Sequence, residues 1–115
     1  MTGPRKGAPR TKPYVLRPQA REDRRAEVHY HRQEAGAAVA DKLVKAMAKA
    51  LQDLERNPSI GSPALGRMLG IDELRTRRLQ GFALTFWYFE RADHIEVIRL
   101  VGQRQDQGDM QVRAE

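Results

Sequence analysis

The chain has 115 residues, 40% apolar and 31% charged, which suits one soluble domain around one modest core. No apolar run approaches the ~20 residues of a membrane span, and the basic N-terminus lacks the apolar stretch of a secretory signal. The absence of cysteine excludes disulfides and thiolate chemistry and is compatible with a reducing cytoplasm.

The net charge of +6 points to anionic partners, but it is unevenly placed. Residues 1–12 hold Arg5, Lys6, Arg10 and Lys12 and no acid, so they carry +4 and leave +2 for the rest (6 − 4). We read 1–12 as a disordered basic arm, because its prolines and glycines offer no core to fold onto. A single domain is expected over 13–106, followed by a polar tail over 107–115. A body this close to neutral argues against a dedicated nucleic-acid module, and no sequence-specific DNA binding is expected.

Tyr14, Val15, Leu16 and Arg17 are β-prone and lie between Pro13 and Pro18, which predicts a short edge strand. Pro18 suits the first turn of a helix. That helix is expected over 19–34, with Glu22 and Asp23 near its positive end and Gly36 closing it. A second helix is predicted over 37–56. There Ala40, Leu43, Met47, Ala50, Leu51 and Leu54 recur at three- and four-residue steps, with charged residues opposite, and Asn57-Pro58 stops it. The short connection makes an αα-hairpin.

The segment NPSIGSPALGRMLGIDE is rich in glycine, but it lacks the GK[ST] of a phosphate loop and reads as turns. Three strands are expected next, over 74–79, 82–89 and 94–101. In the middle one Phe82, Leu84, Phe86 and Tyr88 share one face while Trp87 and Phe89 share the other, which marks a central strand. Ala92-Asp93 makes the turn back. Gly102 interrupts the alternation of the last strand and begins a polar tip, Gln103-Arg104-Gln105-Asp106. The order is an N-terminal strand, an αα-hairpin and a three-stranded antiparallel sheet, an α+β domain.

Catalytic signals are sparse. His29 and His31 lie two apart on a helix and point away from each other. With no cysteine and no convergent carboxylates, neither a metal site nor a cofactor is expected, and no nucleophile motif appears. Arg75, Arg77, Arg78, Arg99 and Arg104 are the more suggestive group, with Arg75 and Arg77 on one strand face and Arg78 on the other. Strand-borne arginines can bind phosphates, pair with acids of a partner, or simply be solvated.

In chain order, several stretches resemble the ParE branch of the RelE/ParE superfamily, which are type II toxin–antitoxin toxins and plasmid stabilisation proteins. LRPQAREDRRAEVHYHRQEAG is similar through Pro18, Ala20, Asp23, Tyr30 and Gly36. LQDLERNPSIGSP is similar through Leu51, Leu54, Asn57, Pro58, Gly61 and Pro63. RRLQGFALTFWYFERADHIEVIRLVGQRQD is similar through Arg78, Phe86, Glu90, Ile95, Arg99, Val101, Arg104 and Asp106. The resemblance implies a cytoplasmic toxin neutralised by a small ParD-like antitoxin and, in the ParE branch, a poison of DNA gyrase that is not itself an enzyme. The alternative it implies is a RelE-like, ribosome-dependent mRNA endoribonuclease.

On the ParE reading, Arg75, Arg77, Arg78 and Arg99 are expected to bind the antitoxin, and Trp87, Arg104 and Asp106 the target. On the ribonuclease reading, Arg77, Arg78, Arg99 and Arg104 would hold RNA, with Tyr88 or Glu90 moving protons. Two departures stand out. Arg24 and Glu27 sit where relatives carry apolar residues, although an arginine stem still covers apolar surface. Gly102 stands where relatives often carry histidine, and glycine cannot transfer a proton, so the tip reads as structural or docking rather than catalytic.

Overall fold

A computed structural model of the chain describes residues 11–102. Its elements are β1 (Tyr14–Leu16), α1 (Pro18–Ala35), α2 (Ala37–Arg56), a 3-10 turn (Pro58–Ile60), α3 (Ala64–Leu69), β2 (Leu74–Arg78), β3 (Leu84–Glu90) and β4 (Ile95–Gly102). This is the expected α+β order with two differences. The sheet has four strands, in the order β1-β4-β3-β2, because β1 joins it in parallel beside β4. The glycine-rich segment contains a 3-10 turn and the short helix α3 rather than turns alone. Six residues are too few for an apolar periodicity to show.

The core forms where the α2 stripe meets one face of the sheet. Leu43, Met47, Ala50, Leu51 and Leu54 pack with Leu84, Phe86 and Tyr88 of β3 and with Ile95, Val97 and Leu100 of β4. The two antiparallel pairings bring β2 and β4 to either side of β3, so β3 is interior as its two apolar faces predict.

Helix α1 is a poorer amphipath than α2. Its buried residues are Ala20, Asp23 and Glu27, one per turn along a single face. The reason lies in the sheet edge. Strand β1 covers β4 only from Ile95 to Val97. Beyond that point a β-bulge between Trp87 and Tyr88 shifts the register, so Arg99 faces Trp87 while Val97 faces Tyr88. The Leu100 N–H then has no strand to pair with, and it donates instead to Asp23 Oδ2 at 3.0 Å. The same carboxylate accepts from Arg99 Nε at 2.8 Å and from Gln19 Nε2 at 2.9 Å. A helix carboxylate thus completes the edge where β1 stops.

Strand β4 continues through Gly102, which pairs with Leu84, so Gly102 belongs to the strand rather than interrupting it. Gly102 is buried, and a Cβ there would lie 2.9 Å from Leu84 Cδ2. Close packing, rather than a break in the strand, accounts for glycine at this position. The opposite sheet edge is covered too. Ser62 bridges Thr76 of β2 by two backbone hydrogen bonds, 2.9 and 3.0 Å.

Candidate functional site

The strand arginines sit where their alternation predicts. Arg75 lies opposite Tyr88 and Arg77 opposite Phe86, on the helix-covered face, while Arg78 lies opposite Thr85. Most of this charge is used within the fold. Arg75 Nη1 donates to the carbonyls of Gly61 at 2.7 Å and Ser59 at 3.3 Å. Arg77 Nη2 reaches Asp53 Oδ2 of α2 at 3.2 Å, and Arg99 holds Asp23. Burial works to raise the Asp53 carboxyl, but hydrogen bonds from Lys49 and Arg77 outweigh it and hold the pKa below its ordinary value. Arg78 is exposed and takes part in none of the ion pairs among the described residues. Trp87 is half-buried on the outer face, between Thr76 and Arg99. Arg104 and Asp106 lie outside the described residues.

The candidate proton-transfer groups are also engaged. The Tyr88 hydroxyl is buried; it donates to Pro58 O at 2.6 Å and accepts from Gly61 N–H at 2.9 Å. Burial pushes its pKa up, which opposes any role as a base. Glu90 takes Lys12 Nζ at 2.8 Å. The ring of His31 stands edge-on to both Tyr30 and Phe82. Its Nδ1 lies 2.8 Å from Glu27 O, which it can reach as a donor. Among the described residues, no group of three or more His, Cys, Asp and Glu is placed to hold a metal, and no helix is long and apolar enough to cross a membrane.

Between the two long helices, beside β1, lies a groove of about 510 Å³. Its floor is Tyr14, Val28, Val44, Met47, Ala48 and Leu51, and one wall is Arg21, Arg24 and Arg25 of α1. Arg25 pairs with Glu22 at 3.3 Å, whereas Arg21 and Arg24 enter none of the ion pairs among the described residues. Val44 remains 48% exposed at the mouth. The arrangement suits an amphipathic segment with apolar groups on one side and carboxylates on the other. Arg24 stood out in the sequence only as an arginine where an apolar residue was expected. The groove itself was hidden, because it needs side chains of α1, α2 and β1 brought together by the fold.

Taken together, these features describe a small α+β protein with a preformed apolar groove, one basic wall and an open outer sheet face. The family model for the ParE toxin of the type II toxin-antitoxin system parDE matches residues 14–107. The chain belongs to the ParE toxin family. Among solved structures it is similar to a chain of the chromosomal ParDE TA system from P. aeruginosa, with a TM-score of 0.68 and 17% identity. That match covers 81% of this chain and 97% of the other, and at this identity it speaks for the fold. No curated protein matches the chain.

Proposed function

We propose that this chain acts in the cytoplasm as a toxin that poisons DNA gyrase by binding it, and that a cognate antitoxin neutralises it. The α1–α2 groove carries the antitoxin half of this reading. Its apolar floor would take the apolar side of an acidic antitoxin segment, and Arg21 and Arg24 would meet the carboxylates. A segment that orders on binding buries apolar area and shows a negative heat-capacity change. The gyrase half is supported by the family; of the groups that could move a proton, the buried Tyr88 hydroxyl is held by Pro58 O and Gly61 N–H, Glu90 is ion-paired with Lys12, and Gly102 has no side chain to do so.

The test has two arms. Arg21→Glu with Arg24→Glu should weaken antitoxin binding by at least tenfold in calorimetry, with the melting midpoint preserved; unchanged affinity would remove the groove wall from the interface. In a supercoiling assay the free toxin should stabilise gyrase–DNA cleavage complexes. Cleavage of A-site mRNA in a purified translation system, abolished by Arg104→Ala and accompanied by no effect on gyrase, would replace the gyrase reading with the ribonuclease one.

A further inference from the structure

The described residues leave seven large hydrophobic side chains exposed, and four of them fall within twelve residues of chain. These are Ile60 (36% exposed), Met68 (74%), Leu69 (43%) and Ile71 (37%), on and around α3. Exposed apolar side chains are common singly; concentration in one short segment marks a contact surface.

The segment is held by its neighbours rather than left as a loop. Tyr88 clamps its start through Pro58 O and Gly61 N–H, and Arg75 grips Ser59 O and Gly61 O. The Ser62–Thr76 bridge stitches it to β2, and the Ser62 Oγ accepts from Ala64 N–H at the start of α3. Gly66 packs so closely on β2 that a Cβ would lie 2.7 Å from Leu74 O. A preorganised apolar surface loses little on binding.

Its local charge is opposite in sign to that of the chain as a whole. Residues 60–73 carry Arg67, Asp72 and Glu73, a net of −1 on a +6 chain. Asp72 and Glu73 are exposed and enter none of the ion pairs among the described residues. Nucleic acid and anionic membrane surfaces are therefore poor partners, whereas a protein surface with an apolar recess and a basic rim is complementary. The position also separates it from the groove. Tyr14 of β1 lines the groove and α3 packs on β2, and these strands are opposite edges of the sheet. The lateral row Ser62–Thr76–Trp87 leads from the start of α3 to Trp87, so the knuckle is continuous with the outer sheet face.

We propose that the α3 knuckle, centred on Met68 and Leu69 and flanked by Asp72 and Glu73, is where the toxin docks on its target protein, at an apolar recess with a basic rim. This deepens the reading of the chain as a toxin and rests on it. The experiment compares the full chain with Met68→Asp/Leu69→Asp, which alters only exposed side chains. We expect the variant to keep the wild-type circular dichroism, melting midpoint and antitoxin affinity. It should lose at least tenfold in binding to purified gyrase and in stabilising cleavage complexes, and it should no longer arrest growth when expressed without antitoxin.

A folded variant that binds gyrase and arrests growth like the wild type overturns the inference and leaves the toxin reading standing. Wild-type growth arrest without any gyrase effect, abolished in the variant, removes gyrase as the target and supports the knuckle. A wild-type chain that neither arrests growth nor touches gyrase overturns both. If the variant unfolds, Met68→Gln/Leu69→Gln replaces it and is judged by the same outcomes.

Discussion

Removing the Asp23 carboxylate tests whether Arg99 belongs to the fold or to an interface. In Asp23→Ala, Arg99 loses bonds of 2.8 and 3.4 Å, and Leu100 N–H loses its acceptor at 3.0 Å. Both charged side chains are largely buried, with relative exposures of 8% for Asp23 and 16% for Arg99. Breaking such a pair from one side leaves an uncompensated charge and costs ~3–5 kcal/mol. The stranded N–H adds ~1–3 kcal/mol as an unsatisfied buried donor, and because Arg99 is partly exposed and can turn toward water, the lower ends of the two ranges apply. We expect about 4 kcal/mol, which for a domain of this size lowers the melting midpoint by roughly 15–30 °C.

Urea unfolding of Asp23→Ala, Arg99→Met and the double variant closes a thermodynamic cycle. The two residues should couple by ~1–3 kcal/mol. Costs that add to within ~0.5 kcal/mol would refute the pair as a structural unit. Arg99→Met, where folded, should bind antitoxin like the wild type, because its guanidinium is turned inward to α1.

Two further predictions concern stability. Tyr88→Phe should cost ~1–3 kcal/mol, because the buried Gly61 N–H loses its acceptor and Pro58 O its donor; a midpoint unchanged within error would show that the clamp does not hold the α3 segment. Hydrogen bonds from Arg17, and after them from Arg91, hold the Glu96 carboxyl below its ordinary pKa against the opposing effect of burial. A lowered folded pKa gives stability that is full above the unfolded value of ~4.3 and is lost as pH falls through the folded value. Arg17→Leu should therefore cost about 1 kcal/mol or less at pH 7, Arg17 being half exposed. That difference should vanish on acidification, and a penalty equally large at pH 2 would contradict the assignment.

The elements that were legible in the sequence are those whose burial is apolar and periodic. Helix α2 shows its stripe at Leu43, Met47, Leu51 and Leu54, and β3 shows its two faces through Phe86, Tyr88 and Trp87. Pro13 and Pro18 bracket β1 at an edge, where proline costs no ladder bond. The parallel pairing of β1 with β4 left no local mark, because it joins residues about eighty apart. Helix α3 is too short for a pattern, and its exposed apolar residues resemble turn residues until Gly66 is seen against Leu74.

Asp23 and Glu27 show why the groove was harder to read than the fold. On a helix, acids at these positions look like solvated residues, and the basic residues around them look like a charged outer face. Asp23 is buried because β1 ends at Leu16 and leaves Leu100 N–H to be satisfied from α1. Once the carboxylates face the sheet, Arg21, Arg24 and Arg25 are turned toward α2, where they wall the groove. The same fold engages three of the strand arginines expected, on the ParE reading, to meet the antitoxin: Arg75, Arg77 and Arg99 each find a carbonyl or carboxylate inside the chain. Charge in a sequence says how many ions must be placed. Which of them face a partner depends on which backbone groups and acids the topology leaves in need of one.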